Sequence, residues 1–404
     1  MATSVYELEL PELDMMEPSG RDQARAEIAA ARDRHWLARN PMGFVVTTYE
    51  DVAAILRDRR FHSAFSMLAE MSGLEDDEYF QSRRRSILAL EGEEHARLRR
   101  LVAPAFTPRS ADRMRPFMRE VVTELVDGFA ARGHCELVAD LCEAYPIPII
   151  CQLLGAPRED WKLFSAWATD IFRVFNGNFV EDLATIKKAS AELDAYVGDL
   201  IEMRRAQPAD DLLSDLIAVE EGGDRLSGEE LVMLAEAVLM AGTDTTRNQL
   251  ACSVALLADR PDQWRALAQQ PGLAATSVEE TMRFLGAVRG TSRFASEDIV
   301  YRDVLFPAGT MVGLSMVGAN FDPQVWDGPD RLDLARTTKA QQMTFGSGLH
   351  YCLGASLARA ELQEALPILA TRMPNLSLAG PVEWKPDNVG IWGPARLPLR
   401  FDPS

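Results

Sequence analysis

The stretch Phe345-Gly346-Ser347-Gly348-Leu349-His350-Tyr351-Cys352-Leu353-Gly354 sets one cysteine among three glycines, directly ahead of a helical pattern running from Ala355 to Met373. Glycines at that density bring backbone close to something flat or bulky. A cysteine just before a helix N-terminus gains from the helix dipole and from backbone N–H donors, both of which favour the thiolate. A thiolate there can ligate a metal. A closed zinc site takes four Cys or His ligands, which this single cysteine does not supply, whereas haem iron needs one axial ligand from the protein. A glycine-rich loop around a buried free cysteine is the alternative these residues leave open.

A second unusual run is Ala241-Gly242-Thr243-Asp244-Thr245-Thr246, in the middle of the longest helical pattern. That pattern opens at Ser227, with Glu230 completing a capping box, and continues to about Asp259 before Pro261 stops it. At 1.5 Å per residue it is about 50 Å long, enough to cross a domain. Gly, Thr and Asp all disfavour helix interiors, so something other than propensity selected them. The Thr245 hydroxyl can turn back to the carbonyl of Ala241, with Gly242 leaving room beside it, and this predicts a local bulge. An ordinary kink is the plainer reading. Elsewhere, His95 and Arg99 stand at i, i+4 on a helix beginning near Glu93 and point one way. Glu280 and Arg283 stand at i, i+3, where a salt bridge forms.

Taken in order along nearly the whole chain, these motifs resemble the cytochrome P450 family. The resemblance implies a haem b cofactor (iron protoporphyrin IX) with Cys352 as its axial thiolate ligand. Phe345 would pack beside the sulfur, Gly354 and Ala241 would lie against the haem, and His350, His95, Arg99 and Arg293 would serve the propionates. Asp244 and Thr245 would manage proton delivery in a groove that admits dioxygen, and Arg331 would join Glu280 and Arg283 in a buried triad. The chain departs from the family's pattern at Gly286-Ala287-Val288, where proline is usual, and at Phe321, which replaces an arginine before Asp322-Pro323.

The elements that must position these residues are mostly helical. Apolar side chains recur at helical spacing at Val121, Leu125, Val126 and Phe129, and again at Leu183, Ile186, Leu193, Val197 and Ile201. Short strand-like runs fall at Gly43 to Thr48, Ile299 to Phe306, Met311 to Leu314 and Arg396 to Phe401. The expected fold is mainly α with small β-sheets. The resemblance makes it a single P450-like domain over residues 1–404, with a long central helix over the haem and the first 20 residues or so as a peripheral arm.

The 404 residues are 47% hydrophobic and 25% charged, the balance of a globular protein. A net charge of −19 argues against a nucleic-acid binder, which needs surplus Lys and Arg. Glu7, Glu9, Glu12, Asp14, Glu17 and Asp22 leave no cationic segment for a signal peptide, and no apolar run reaches the roughly 20 residues that span a bilayer. Cys135, Cys142, Cys151, Cys252 and Cys352 lack paired spacing, which fits a reducing, cytoplasmic setting.

The resemblance implies a monooxygenase that places one atom of dioxygen in a substrate, by hydroxylation or epoxidation, and releases the other as water. A peroxide-driven peroxygenase is disfavoured by the Asp244-Thr245 pair. A haem sensor or electron carrier would not need so specialised a helix. With no Rossmann-type glycine loop, electrons must come from a separate ferredoxin or flavodoxin and its reductase. Arg97, Arg100, Arg109 and Arg113 are candidates for a basic docking patch. Family topology would line the pocket with the Met67 to Met71 region, Met240, Ala241, Ala287, Val288, Ile391 and Trp392, which are apolar and suit a lipophilic substrate.

Overall fold

Leu231, Leu234, Ala235, Val238 and Leu239 leave little polar surface on the central helix, and from Asn248 to Ala258 every residue is buried. A helix apolar all round must lie inside. The computed structural model, which describes residues 2–14, 21–176, 178–221, 226–387 and 389–404, places this helix at Gly228–Ala258. Ser227 caps it as the sequence predicts: its side chain accepts from the Glu230 N–H, and the Glu230 carboxylate accepts from the Ser227 N–H at 2.8 Å. Asp259 ends it, and Pro261 opens the next helix, Pro261–Gln269.

Helices Pro146–Leu154, Trp161–Ile171, Leu183–Ala206, Ala274–Phe284 and Ala355–Arg372 all pack on the central helix. The last of these, which follows Cys352, also packs along Pro108–Asp127. Their inward side chains form one continuous apolar core.

The main sheet has five strands in the order Leu37–Asn40, Gly43–Val46, Met311–Ser315, Gly290–Ala295, Phe61–Ser63. It fixes Arg293 between Val312 on one neighbour and Ser63 on the other. Ile299 to Phe306, expected as one strand, is instead a hairpin of Ile299–Tyr301 and Val304–Phe306. Its turn is made by Arg302 and Asp303 at φ 48° and 60°, and the apolar alternation on both sides hides it in the sequence. Arg396 to Phe401 likewise divides, Pro394–Arg396 pairing with Glu383–Trp384 and Pro398–Arg400 with His134–Glu136.

Residues 2–14, part of the expected peripheral arm, are stitched to the body. Thr3 and Ser4 pair in parallel with Val304 and Leu305, and Val5 is fully buried. The rest of that expected arm, residues 15–20, lies outside the described residues. No helix among the described residues is long and apolar enough to cross a membrane.

Candidate functional site

The cysteine loop is held by contacts that only some residue types allow. Gly348 sits at φ +71°, and a Cβ there would come within 2.1 Å of the Leu56 carbonyl oxygen. Any side chain would push the loop off helix Tyr49–Arg57. The Cys352 N–H donates to the Phe345 carbonyl at 3.0 Å and closes the loop. Arg359, one turn into the following helix, stacks its guanidinium 4.5 Å above the Phe345 ring, donates to the Tyr351 hydroxyl at 3.1 Å and to Glu279 at 2.6 Å. Gly346 and Gly354, by contrast, would meet no protein atom within 4 Å if they carried a Cβ.

Cys352 is partly exposed, whereas Cys135, Cys142, Cys151 and Cys252 are buried. Its thiol pKa is raised by desolvation, against the pull of the Gly354 N–H, Arg99 and Arg359. The thiolate expected from the helix terminus therefore needs more positive charge than the protein supplies, which a metal cation would provide.

Beside the loop lies a cluster of nitrogen donors. His95 is 1% exposed, its Nδ1 has no hydrogen-bond partner, and its ring meets that of His350 edge-on at 4.6 Å. Burial, then the charges of His350 and Arg99, pushes His95 down to about 4. Arg99 donates to the Tyr351 carbonyl at 2.6 Å, and Arg293 to the Ser292 carbonyl at 2.9 Å. Desolvation lowers both guanidinium pKa values, and neither arginine has a carboxylate at ion-pair distance among the described residues. An unpartnered buried nitrogen and two desolvated cations fit a dianionic group such as a pair of propionates.

His350 is already engaged: its Nε2 meets Glu91 Oε1 at 2.9 Å. Glu91, which the sequence reading missed, also accepts from the Ser63 N–H at 2.7 Å. Burial alone would raise its carboxyl, but His350 and Ser63 hold it below the usual carboxylate range.

On the central helix, Ala241 is exposed and Thr245 half-buried, while Met240, Thr243, Asp244 and Thr246 around them are buried. The Thr245 hydroxyl donates to the Ala241 carbonyl at 2.8 Å, as its position predicts. The expected bulge is absent, since the helix is unbroken from Gly228 to Ala258. Gly242 serves a different purpose: a Cβ there would lie 2.9 Å from Ile150, so glycine lets helix Pro146–Leu154 approach closely. Asp244 is 3% exposed and ion-paired with Arg247 one turn on, whose guanidinium also lies near Thr169 at 3.4 Å.

Glu280 and Arg283 form the expected buried pair, with Nε to Oε2 at 2.8 Å. The third partner is Arg336, not Arg331. Arg336 donates to Glu280 Oε1 at 3.0 Å, whereas the Arg331 side chain is 67% exposed and only its backbone carbonyl takes part. The irregular Asp327–Arg336 loop turns its fifth residue outward and its last inward, which linear spacing does not reveal.

Both departures from the family's pattern have local reasons. A Cβ at Gly286 would lie 2.6 Å from Thr344 Oγ1, leaving no space for a larger residue. Phe321 and Phe284 flank the guanidinium of Arg25 at 4.1 and 4.6 Å, so the aromatic ring at 321 packs against a cation that reaches it from a distant helix.

Among the expected pocket residues, Val288 bridges to Ile391, and Trp392 donates its N–H to the Ala287 carbonyl at 2.9 Å while stacking on Trp384 at 4.6 Å. Ala287 and Trp392 are buried in the protein itself. In the expected basic patch, Arg100, Arg109 and Arg113 are exposed, but Arg97 turns to Glu230 at the start of the central helix.

A mainly helical body in which a glycine-bound cysteine loop leads into a helix packed on one long buried helix is the architecture of haem-thiolate enzymes. The cytochrome P450 family profile matches residues 34–270 and 263–372. Luteothin monooxygenase of Streptomyces thioluteus is 34% identical over 395 residues, covering 97% of this chain and 96% of its own. Mycinamicin IV hydroxylase/epoxidase of Micromonospora griseorubida is 39% identical over 362 residues, covering 88% and 89%. The crystal structure of P450BioI with hexadec-9Z-enoic acid ligated acyl carrier protein aligns with a TM-score of 0.87 at 31% identity, over 94% of this chain and 99% of that one. The chain belongs to the cytochrome P450 family. It is a haem-dependent monooxygenase of the type found in soluble bacterial relatives, catalysing hydroxylation or epoxidation with electrons from a redox partner.

Proposed function

We propose that this monooxygenase binds haem b non-covalently through Cys352 and oxidises a lipophilic small molecule, with electrons delivered by a ferredoxin or flavodoxin in the cytoplasm. The observation that carries the haem assignment is the unpartnered Nδ1 of buried His95, whose ring meets that of His350 two residues before Cys352, together with the desolvated guanidinium groups of Arg99 and Arg293. His95, Arg99 and Arg293 would hold the propionates; His350 would join them only by leaving Glu91. Phe345 would pack beside the sulfur, and its ring is kept in place by Arg359. When bound, the haem supplies dioxygen activation, with the thiolate ligand favouring O–O cleavage.

Thr245 would place a proton over the site from a hydroxyl already aligned on the Ala241 carbonyl. Asp244 would relay protons from solvent, for which its carboxylate must rotate away from Arg247. The apolar Met240 and Ala241 next to them favour a lipophilic substrate. Exposed Arg100, Arg109 and Arg113 form the face on which an acidic electron donor would be steered. The test is the absorption spectrum of the reduced carbon-monoxide adduct, together with extraction of the pigment. Thiolate-type absorption lost in Cys352→Ala and an extractable protoporphyrin IX are expected; full activity in Cys352→Ala would overturn the ligand assignment.

A further inference from the structure

Glu91 stands at the N-cap of helix Gly92–Val102, yet its side chain does not cap that helix. It is one methylene longer than the acidic side chain that caps best, and it reaches outward instead. Its Oε1 accepts from the Ser63 N–H at 2.7 Å, and His350 Nε2 meets the same oxygen at 2.9 Å. A carboxylate oxygen has two lone-pair directions, and both are used here. The start of this helix, the end of strand Phe61–Ser63 and the cysteine loop therefore meet at one atom.

Each of these contacts leads to a residue expected at the propionates. His95 lies one turn along from Glu91, and the His350 ring rests edge-on against its ring at 4.6 Å. Ser63 pairs with Arg293 across the main sheet. Arg99, two turns along the same helix, donates to the Tyr351 carbonyl at 2.6 Å. The consecutive residues 350 and 351 are thus fastened from both ends of one helix, directly before Cys352.

The expectation from the family is that His350 itself reaches a propionate. Its Nε2 is taken by Glu91, and an anion on the other ring nitrogen would share one imidazole with the Glu91 carboxylate, which like charges disfavour. The count of partners closes without His350. The guanidinium groups of Arg99 and Arg293 match two propionates in charge, and His95, which burial keeps uncharged at neutral pH, adds its unpartnered Nδ1.

We infer that Glu91 and His350 form a clasp that seats the cysteine loop on helix Gly92–Val102, and that His95, Arg99 and Arg293 hold the propionates without His350. Glu91 is then a positioning residue for Cys352, acting through His350, and the His350 ring backs His95 rather than binding the anion. This deepens the haem reading of the site and rests on it.

The test reconstitutes parent and variants with haem and with haem dimethyl ester, whose esterified propionates carry no charge. Transfer to apomyoglobin gives the rate at which each pigment is lost, and the reduced carbon-monoxide spectrum is recorded on the same samples. Arg99→Leu removes a propionate partner and should quicken the loss of haem more than that of the ester. His350→Leu and Glu91→Leu should each quicken the loss of both pigments by the same factor, about tenfold, and the double variant should be no faster than either. Both should also lower the share of the carbon-monoxide adduct with thiolate-type absorption, because the loop is less firmly seated. Glu91→Gln keeps an oxygen for both hydrogen bonds and should return both readouts to within about twofold of the parent. His350→Leu that quickens the loss of haem but not of the ester would put His350 on a propionate and overturn the inference, as would additive effects in the double variant. Should the leucine variants fold poorly, Glu91→Gln decides: parent-like rates for both pigments support the clasp, and a change seen with haem but not with the ester overturns it. Failure of the haem reading would appear separately, as a parent protein without thiolate-type absorption.

Discussion

Arg99 donates from Nη2 to the backbone carbonyl of Tyr351 at 2.6 Å, so the helix Gly92–Val102 is fastened to the residue just before Cys352. That guanidinium locks the cysteine loop, and on the proposed reading its remaining N–H groups would hold a haem propionate. Arg99→Leu should therefore retain less haem. A charge-assisted hydrogen bond contributes about 1.5–3 kcal/mol, so haem dissociation should quicken by roughly ten- to a hundredfold. Arg99→Lys keeps the charge but loses the planar fork and should fall between. Transfer of haem to apomyoglobin measures the rate; identical rates in all three proteins would remove Arg99 from the binding site.

The triad around Glu280 gives a sharper contrast between neighbours. Arg336→Ala takes one of two cations from Glu280 Oε1, which keeps Arg283 Nη2 at 2.9 Å and the Asp333 N–H at 3.0 Å, and also frees the carbonyls of Asp327, Gly328 and Arg331, so it should destabilise the protein by about 1–3 kcal/mol. Arg331→Ala removes an exposed side chain whose ion pair among the described residues is with Asp333, at 3.5 Å, and should change stability by less than about 0.5 kcal/mol. Denaturant unfolding of both variants followed by tryptophan fluorescence decides it. The reverse ranking would restore Arg331 as the third partner.

The pH dependence of stability has an identifiable contributor in Glu361. It is 1% exposed, and burial pushes its carboxyl up to about 8, with only the Thr246 hydroxyl pulling the other way. Because its folded pKa is raised, the folded state holds a proton that the unfolded chain releases from about pH 4.5 upward. Its stabilising contribution is complete below that pH and is lost as pH rises toward 8, at about 1.4 kcal/mol per pH unit. Glu361→Gln should match the parent near pH 4.5 and exceed it by a few kcal/mol at pH 8. Thermal unfolding across that range is the measurement, and parallel curves for the two proteins would refute the assignment.

What the sequence makes legible here is local. Ser227 and Glu230 announce a capping box, Thr245 and Ala241 stand one turn apart and bond, and Glu280 and Arg283 pair across one turn. Each rests on helical periodicity, which the chain states directly. The misses have the opposite character. Glu91 and His350 are 259 positions apart in the chain, and Arg25 and Phe321 meet across different elements. Arg336 reaches Glu280 from an irregular loop with no period to read. Gly242 stands beside Thr245 in the sequence, but the side chain it makes room for, Ile150, lies on another helix.

The central helix also tests the reaction itself. If Thr245 places the proton that completes dioxygen cleavage, Thr245→Ala should still bind haem and substrate. The lost hydroxyl bonds only the Ala241 carbonyl within its own helix, and nothing in the fold depends on it. Reductant would still be consumed, but more of it would leave as peroxide or water, so product per electron pair should fall. Asp244→Asn should behave differently. It removes the carboxylate proposed to carry protons inward and breaks the pair with Arg247, so the whole cycle should slow while coupling is largely kept. Effects on product rate of about tenfold to a thousandfold are expected from the loss of a proton-transfer group. A solvent deuterium isotope effect that rises in Asp244→Asn but not in Thr245→Ala would separate delivery from placement. Product, peroxide and reductant consumption are to be followed in parallel with saturating electron supply. Unchanged coupling in Thr245→Ala together with an unchanged rate in Asp244→Asn would remove both residues from proton delivery.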